Sequence, residues 1–137
     1  MQAAKPIKKT STRNVASEAP LILTINGGSS SIKFALFSAA SPLRRVFSGQ
    51  LERIGVPGTL LTATREDSSE QDKHPIPAKD FPGAIQGVLS YLRQRIGKST
   101  ISTIGHRIVN GGVHLVDNQL INAEVIAPAR GGRSHLW

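Results

Sequence analysis

The sequence predicts an α/β fold in which a mixed sheet of about five strands packs against one main helix. Short apolar segments rich in β-branched residues recur between clusters of Gly, Pro and Ser, which indicates strands and turns. One longer stretch has apolar residues at helical spacing, and another apolar segment follows it. Because such a sheet normally buries both faces and one helix covers only one, we expect the second face to expose Leu, Ile and Val.

The first predicted strand, residues 21–25, is a short apolar run, and a dense Asn-Gly-Gly-Ser-Ser turn follows it. Residues 31–37 form the next apolar run, so the two segments are predicted to pair as a β-hairpin. Residues 66–77 are polar, contain two prolines and are predicted to be a surface loop. Three further strands are predicted, at residues 44–54, 60–64 and 101–109.

Residues 78–96 contain the one convincing helix pattern, a single apolar stripe with steps of three and four residues. Asp80 and Pro82 are typical of a helix N-terminus, and Gly97 is typical of a C-terminal stop. The stripe consists of Phe81, Ala84, Ile85, Val88, Leu92 and Ile96.

Composition excludes several classes of protein. The length of 137 residues suits one globular domain, and no apolar run approaches the ~20 residues of a membrane helix. The absence of cysteine excludes a disulfide scaffold, a thiolate metal site and a cysteine nucleophile. The net charge of +8 lies mostly in the two ends of the chain, while the middle mixes both signs. This distribution argues against a basic stripe for nucleic acid.

The two ends differ in character from the rest of the chain. Residues 1–20 are small, polar and basic and lack the apolar region of a secretory signal, so we interpret them as a disordered leader rather than a transit peptide. Residues 128–137 have no usable periodicity. Because the regular pattern stops near residue 127, we expect the ordered domain to cover residues 21–127.

The first segment with chemical potential is the turn and strand start at residues 26–33. Two glycines, three serine hydroxyls and the ammonium of Lys33 supply donors that could cradle a phosphate. The spacing is not that of a P-loop, and a strand follows rather than a helix. On spacing alone, a solvated Gly/Ser hairpin turn is the better interpretation.

The second such segment, residues 105–112, lies at the end of a predicted strand, where ligands gather in α/β sheets. Arg107 could hold a carboxylate or phosphate through its fork of donors. Alone, a surface arginine beside a Gly-Gly turn is the favoured interpretation. The four histidines show no metal-ligand spacing.

Taken together, the two segments resemble a known family. Residues 21–36, LILTINGGSSSIKFAL, resemble the amino-terminal signature of acetate kinases, and residues 104–112, IGHRIVNGG, resemble the second signature of that family. Residues 120–127, LINAEVIA, are a weaker likeness. The resemblance implies an incomplete ribonuclease H-like (actin-like ATPase) amino-terminal lobe. The sequence departs from the pattern of the family at Asn110, where histidine is usual.

The resemblance also implies a function, the reversible transfer of the ATP γ-phosphoryl group to acetate with Mg²⁺. Arg107 matches the arginine that binds the carboxylate or the transferring phosphoryl group, and Val109 matches a wall of the acetate pocket. Asn26 is in addition a weak candidate for metal contact. The residues that match the loop on the phosphate side are Asn26, Ser29, Ser31 and Lys33.

Further expectations follow from the resemblance. Because family-like sequence stops near residue 127, the resemblance implies a truncation or frameshift there, with a genuine short chain as the alternative. The catalytic residues of the family would lie beyond residue 137, so we expect this chain to be inactive alone. The ligands would be acetate and ATP, in the cytoplasm, without membrane or nucleic acid, and the homodimer of the family is doubtful for this chain. The alternatives are a propionate or butyrate kinase fragment and a non-catalytic basic module that binds polyanions.

Overall fold

The computed structural model describes residues 19–107 and 117–123. Within them, one six-stranded sheet packs against one long helix. The elements are β1 (Leu21–Gly27), β2 (Ile32–Ser38), β3 (Arg44–Glu52), β4 (Leu60–Arg65), β5 (Gln71–Pro75), α1 (Phe81–Ile96) and β6 (Ile101–Arg107).

The sheet is an antiparallel meander to which one parallel strand is added. Strands β1 to β5 pair in sequence order, each antiparallel to the one before it. Helix α1 then carries the chain back across the sheet, and β6 pairs with β1 in parallel. The spatial order is β5-β4-β3-β2-β1-β6, so β1 lies between β2 and β6. The predicted hairpin of β1 and β2 and the predicted mixed α/β architecture are therefore confirmed.

Strand β5 corrects the prediction of a surface loop at 66–77 and raises the strand count from about five to six. Its side chains are mostly polar and exposed, so no apolar pattern marks it. Backbone pairing with β4 holds it instead, and the Asp72 carboxylate accepts hydrogen bonds from Tyr91 and Arg95 of the helix. A polar edge strand of this kind resists pairing with other chains.

The predicted third strand ends earlier than residue 54. Arg53 has a φ of 63°, a left-handed conformation that ends the strand after Glu52. Ile54 then turns inward, where it is buried, and its N–H donates to the Ser30 carbonyl at 3.0 Å. The sequence pattern counts Ile54 as a strand residue because it is apolar, although its burial comes from this turn.

Helix α1 begins at Phe81 rather than at residue 78. The Asp80 carboxylate accepts a hydrogen bond from the Gly83 N–H at 2.8 Å, which caps the helix as predicted. Gly97 follows the last turn with a φ of 61°, which favours glycine and confirms the predicted stop. Ala78 is buried but lies in the preceding loop, where its carbonyl accepts from the Thr59 hydroxyl.

The core lies between α1 and one face of the sheet, here called the helix face. Alternate residues of the strands point into it, as the two-residue period of a strand requires. Seven leucine, isoleucine and valine side chains there have at most 1% of their surface exposed: Leu23, Ile32, Leu36, Leu51, Leu61, Val88 and Leu92.

The other face of the sheet, here called the open face, differs from the expectation of exposed Leu, Ile and Val. Its strands alternate buried and more exposed positions, and the outward positions are mostly Thr, Ser, Gln, Lys and Asn. Its larger apolar side chains, Ile22, Phe37 and Leu60, are half-buried, and Ile22 pairs with Phe37 across the strands. The exposed large apolar residues of the described chain are Leu43, Val56, Ile104, Leu120 and Ile121. None of them is an outward residue of the open face, so that expectation is wrong.

Several predictions fall outside the described residues. They concern the leader up to residue 18, the tail at 128–137 and the end of the last predicted strand at 108–109. No helix within the described ranges has the length and hydrophobicity needed to cross a membrane.

Candidate functional site

Three residues of the two sequence motifs form one row across the open face. Asn26 of β1 pairs with Lys33 of β2 on one side and with Arg107 of β6 on the other. Paired residues project to the same face, with neighbouring strands about 4.8 Å apart. The row therefore places an amide between an ammonium and a guanidinium, although Lys33 and Arg107 are separated by more than seventy positions in the chain.

The hairpin turn beside this row is fixed from two directions. The Gly28 N–H donates to the Ser31 carbonyl at 2.7 Å, which closes the turn around Ser29 and Ser30. The Ser30 carbonyl accepts from Ile54, which ties the tip to the end of β3. A Cβ at Gly28 would approach the Ser31 hydroxyl oxygen to 3.0 Å, so the missing side chain gives that hydroxyl its room. Ser29 is exposed at the tip and Ser31 is half-buried.

A groove of about 460 Å³ runs along the open face at this row. Its floor consists of small residues, Thr24 and its two cross-strand partners Ala35 and Gly105. The Thr24 hydroxyl donates to the Ala35 carbonyl at 3.2 Å. A Cβ at Gly105 would have its nearest neighbour, the Thr24 methyl, at 3.9 Å. The groove exists because these small side chains stand beside the longer side chains of the row.

The groove is electrostatically suited to an anion. Lys33 and Arg107 are exposed, and the ion pairs found among the described residues are Arg45–Glu66, Arg65–Asp67 and Arg95–Asp72, none of which involves them. The residues that line the groove include no carboxylate. Two cations on either side of an amide, without an acidic partner in the described chain, attract an oxyanion that all three can contact.

His106 lies next to Arg107 in sequence but on the helix face, because its partner in β1 is the buried Ile25. Burial lowers the pKa of its imidazole. The neutral form is therefore favoured, and His106 adds no positive charge to the groove at neutral pH. The positive charge of the site comes from Lys33 and Arg107.

The described residues do not fit a Mg²⁺ ion held by the protein alone. Mg²⁺ prefers carboxylate, phosphate and water oxygens, whereas Asn26 has a cationic side chain on each side in the row. Within residues 19–107 and 117–123, no three acidic or histidine side chains converge into a possible metal site. The donor set of the row favours a negatively charged ligand over a cation.

The structure thus brings Asn26, Lys33 and Arg107 together and places Ser31 beside them, while Val109 lies outside the described residues. Sequence reasoning missed Asn118, an exposed residue of the segment 117–123 that also lines the groove. No periodicity or motif marks Asn118. Its place in the groove is visible only in the three-dimensional structure, where the segment 117–123 lies beside the open face.

The comparisons with known proteins agree on one family. The model of the acetokinase family matches residues 21–131. The chain is 34% identical over 110 residues to an acetate kinase of Deinococcus deserti and 39% identical over 109 residues to one of Bacillus mycoides. These matches cover 80% and 77% of this chain, but 27% of each relative. The chain therefore spans about a quarter of the length of these curated relatives.

Solved structures show the same likeness in three dimensions. The acetate kinase of Porphyromonas gingivalis matches with a TM-score of 0.71 and 31% identity, covering 82% of this chain and 29% of that one. A propionate kinase of Francisella tularensis matches with a TM-score of 0.68 and 25% identity, covering 81% and 28%. The family match, the relatives and the shared fold all coincide with the part of the chain that carries the groove. This chain belongs to the acetokinase family.

Proposed function

We propose that this chain forms the acyl phosphate side of an acetate kinase, an enzyme that reversibly transfers the γ-phosphoryl group of ATP to acetate. The observation that carries the proposal is the row of Lys33, Asn26 and Arg107 on the open face, within a chain of the acetokinase family. The row unites residues from both motifs at one groove, which is where a small anion would bind.

The chemistry of the reaction suits such a row. Acetate is ionised at neutral pH and needs no general base to become a nucleophile. The barrier comes largely from bringing two anions together and holding them in line. Arg107 would hold the carboxylate or the transferring phosphoryl group through its planar fork of donors. Lys33 would neutralise charge on the phosphoryl oxygens, and the amide of Asn26 would orient them by a hydrogen bond.

The hairpin turn supports the phosphate side of the same proposal. Ser29 and Ser31 would supply hydroxyl donors from the turn that precedes Lys33, and the hydrogen bonds of Gly28 and Ser30 hold that turn in place. Donors fixed before the ligand arrives lose little entropy when it binds. ATP is thus proposed to approach the turn with its γ-phosphate, while acetate approaches from the side of Arg107.

A propionate kinase is the second candidate, since a protein of that name shares the fold. The two activities differ by one methylene of the acyl group, which a pocket discriminates by ~1–3 kcal/mol. Titrations with acetyl phosphate and propionyl phosphate, compared on the same sample, separate the candidates. Tighter binding of acetyl phosphate supports the main proposal, and tighter binding of propionyl phosphate supports the second.

The site is tested by titrating acetyl phosphate into the chain and its variants. Arg107→Ala is compared with Lys73→Ala, which also removes one positive charge from the open face but lies in β5, at the far edge of the sheet. We expect a dissociation constant on the order of millimolar, weakened about fivefold by Arg107→Ala and little by Lys73→Ala. Equal losses in both variants would contradict the proposed site.

Phosphoryl transfer by the chain is tested separately, by following ATP formation from ADP and acetyl phosphate in the presence of Mg²⁺. We expect none above the uncatalysed rate, because the groove is lined by one face of the sheet and by Asn118 beside it. In-line transfer needs groups around both the attacking and the leaving oxygen. ATP formation that depends on this chain and disappears in Arg107→Ala would overturn this expectation while supporting the proposed site.

A further inference from the structure

We infer that Asn118 is a further anion-binding residue, which donates its side-chain amide N–H to the oxyanion held by Lys33 and Arg107. This inference rests on the proposed function of the groove. The evidence is the position of the residue: Asn118 belongs to the short segment 117–123, outside the sheet, and yet it lines the same groove as the row.

Asn118 approaches the groove from beside the sheet, so it can contact ligand atoms that the side chains of the strands do not reach. Side chains of Lys33, Asn26 and Arg107 rise from one sheet and surround a ligand from below. A ligand above this row still exposes its remaining oxygen atoms to water. A donor from a separate segment forms a side wall and can replace one of those water contacts.

The chemistry of the side chain fits this role. The amide of asparagine offers two N–H donors and carries no charge, so it can bind an oxyanion without repelling the cations of the row. Asp117, the residue before it, is exposed and does not line the groove. The chain thus places the neutral amide, rather than the adjacent carboxylate, at the site of the anion.

Two substitutions of Asn118 separate binding from structure. Asn118→Ala removes the donor, and Asn118→Asp keeps the shape of the side chain but replaces the donor by a negative charge. Because Asn118 is exposed, neither change should alter the thermal unfolding temperature appreciably. Gln94→Glu, on the exposed surface of α1, adds the same negative charge away from the groove and serves as the charge-matched control.

The probe is inorganic phosphate, titrated at ~0.1 M ionic strength, where charges beyond about 10 Å are largely screened. We expect phosphate binding to weaken about threefold in Asn118→Ala and about tenfold in Asn118→Asp, with Gln94→Glu close to the parent chain. Retained affinity in both Asn118 variants, with a loss in Arg107→Ala, would overturn the inference and leave the proposed function standing. Absence of phosphate and acetyl phosphate binding by the parent chain would overturn both.

Discussion

The two faces of the sheet are built from the same strands and yet differ in chemistry. On the helix face, Leu23 and Leu61 are fully buried under α1. On the open face, their immediate neighbours Thr24 and Thr62 are polar, and Thr24 forms part of a groove floor. The period of two along each strand produces this division. Stability is therefore concentrated on one face, which leaves the other free to carry binding groups.

The unequal contribution of the two faces to stability is tested by truncating adjacent residues that point to opposite faces. Leu61→Ala creates a cavity in the core and is expected to cost ~2–5 kcal/mol of the free energy of unfolding. Thr62→Ala, one position along β4, removes a half-buried polar side chain and is expected to cost less than ~1 kcal/mol. Urea unfolding of both variants measures the difference, and similar losses would show that the open face also contributes to a packed core.

Two glycines, Gly49 and Gly105, show how much room each face leaves for an added side chain. A Cβ at Gly49 would lie 2.6 Å from the Phe34 ring and 2.7 Å from the Thr62 carbonyl oxygen, so Gly49→Ala requires the core to move. We expect a loss of ~1–3 kcal/mol. At Gly105, where the nearest atom is 3.9 Å away, alanine fits and is expected to be neutral or to stabilise by up to ~1 kcal/mol.

Thermal unfolding of the two glycine variants provides the measurement. We expect a lower unfolding midpoint for Gly49→Ala and an unchanged or higher one for Gly105→Ala. A marked loss of stability in Gly105→Ala would mean that the groove floor is tightly covered in solution.

The ionisation of Tyr91, which points to the helix face, is expected to change the stability least. Burial and the hydrogen bond to the Asp72 carboxylate raise the pKa of Tyr91 to about 12. Because the folded-state pKa lies above the unfolded value of about 10, this group stabilises the fold fully below pH 10 and loses its contribution as the pH rises towards 12. Tyr91 is the only tyrosine in the chain, so its phenolate absorbance reports this site alone.

The control for this titration is Asp72→Asn, which replaces the charged acceptor and should lower the pKa of Tyr91 towards its ordinary value. A Tyr91 midpoint near 10 in the folded parent chain would contradict the buried contact between β5 and α1.

Some of this organisation could be predicted from the sequence. The apolar stripe and Asp80 predict α1, since both act locally, and the turn at residues 26–30 predicts the first hairpin. Strand β5 could not be predicted, because its polar side chains follow no apolar pattern and backbone pairing holds it in place.

The arrangement of the candidate site could likewise be predicted only in part from the sequence. Family motifs could select Lys33 and Arg107, but no periodicity places them on either side of Asn26. That arrangement depends on β6 returning beside β1 in one particular register. Local sequence patterns do not encode the pairing of strands so distant in the chain.

Anion binding on the open face at the row of Lys33, Asn26 and Arg107 can be tested by amide chemical shifts during a phosphate titration of the ¹⁵N-labelled chain. We expect shifts in the turn and strand start at residues 26–33 and in β6 at residues 105–107, and little change along α1. Loss of these shifts in Arg107→Ala, with their retention in Lys73→Ala, would complete the result. Shifts centred instead on the arginines of β3, β4 and α1, or the same pattern in Arg107→Ala as in the parent chain, would contradict the account.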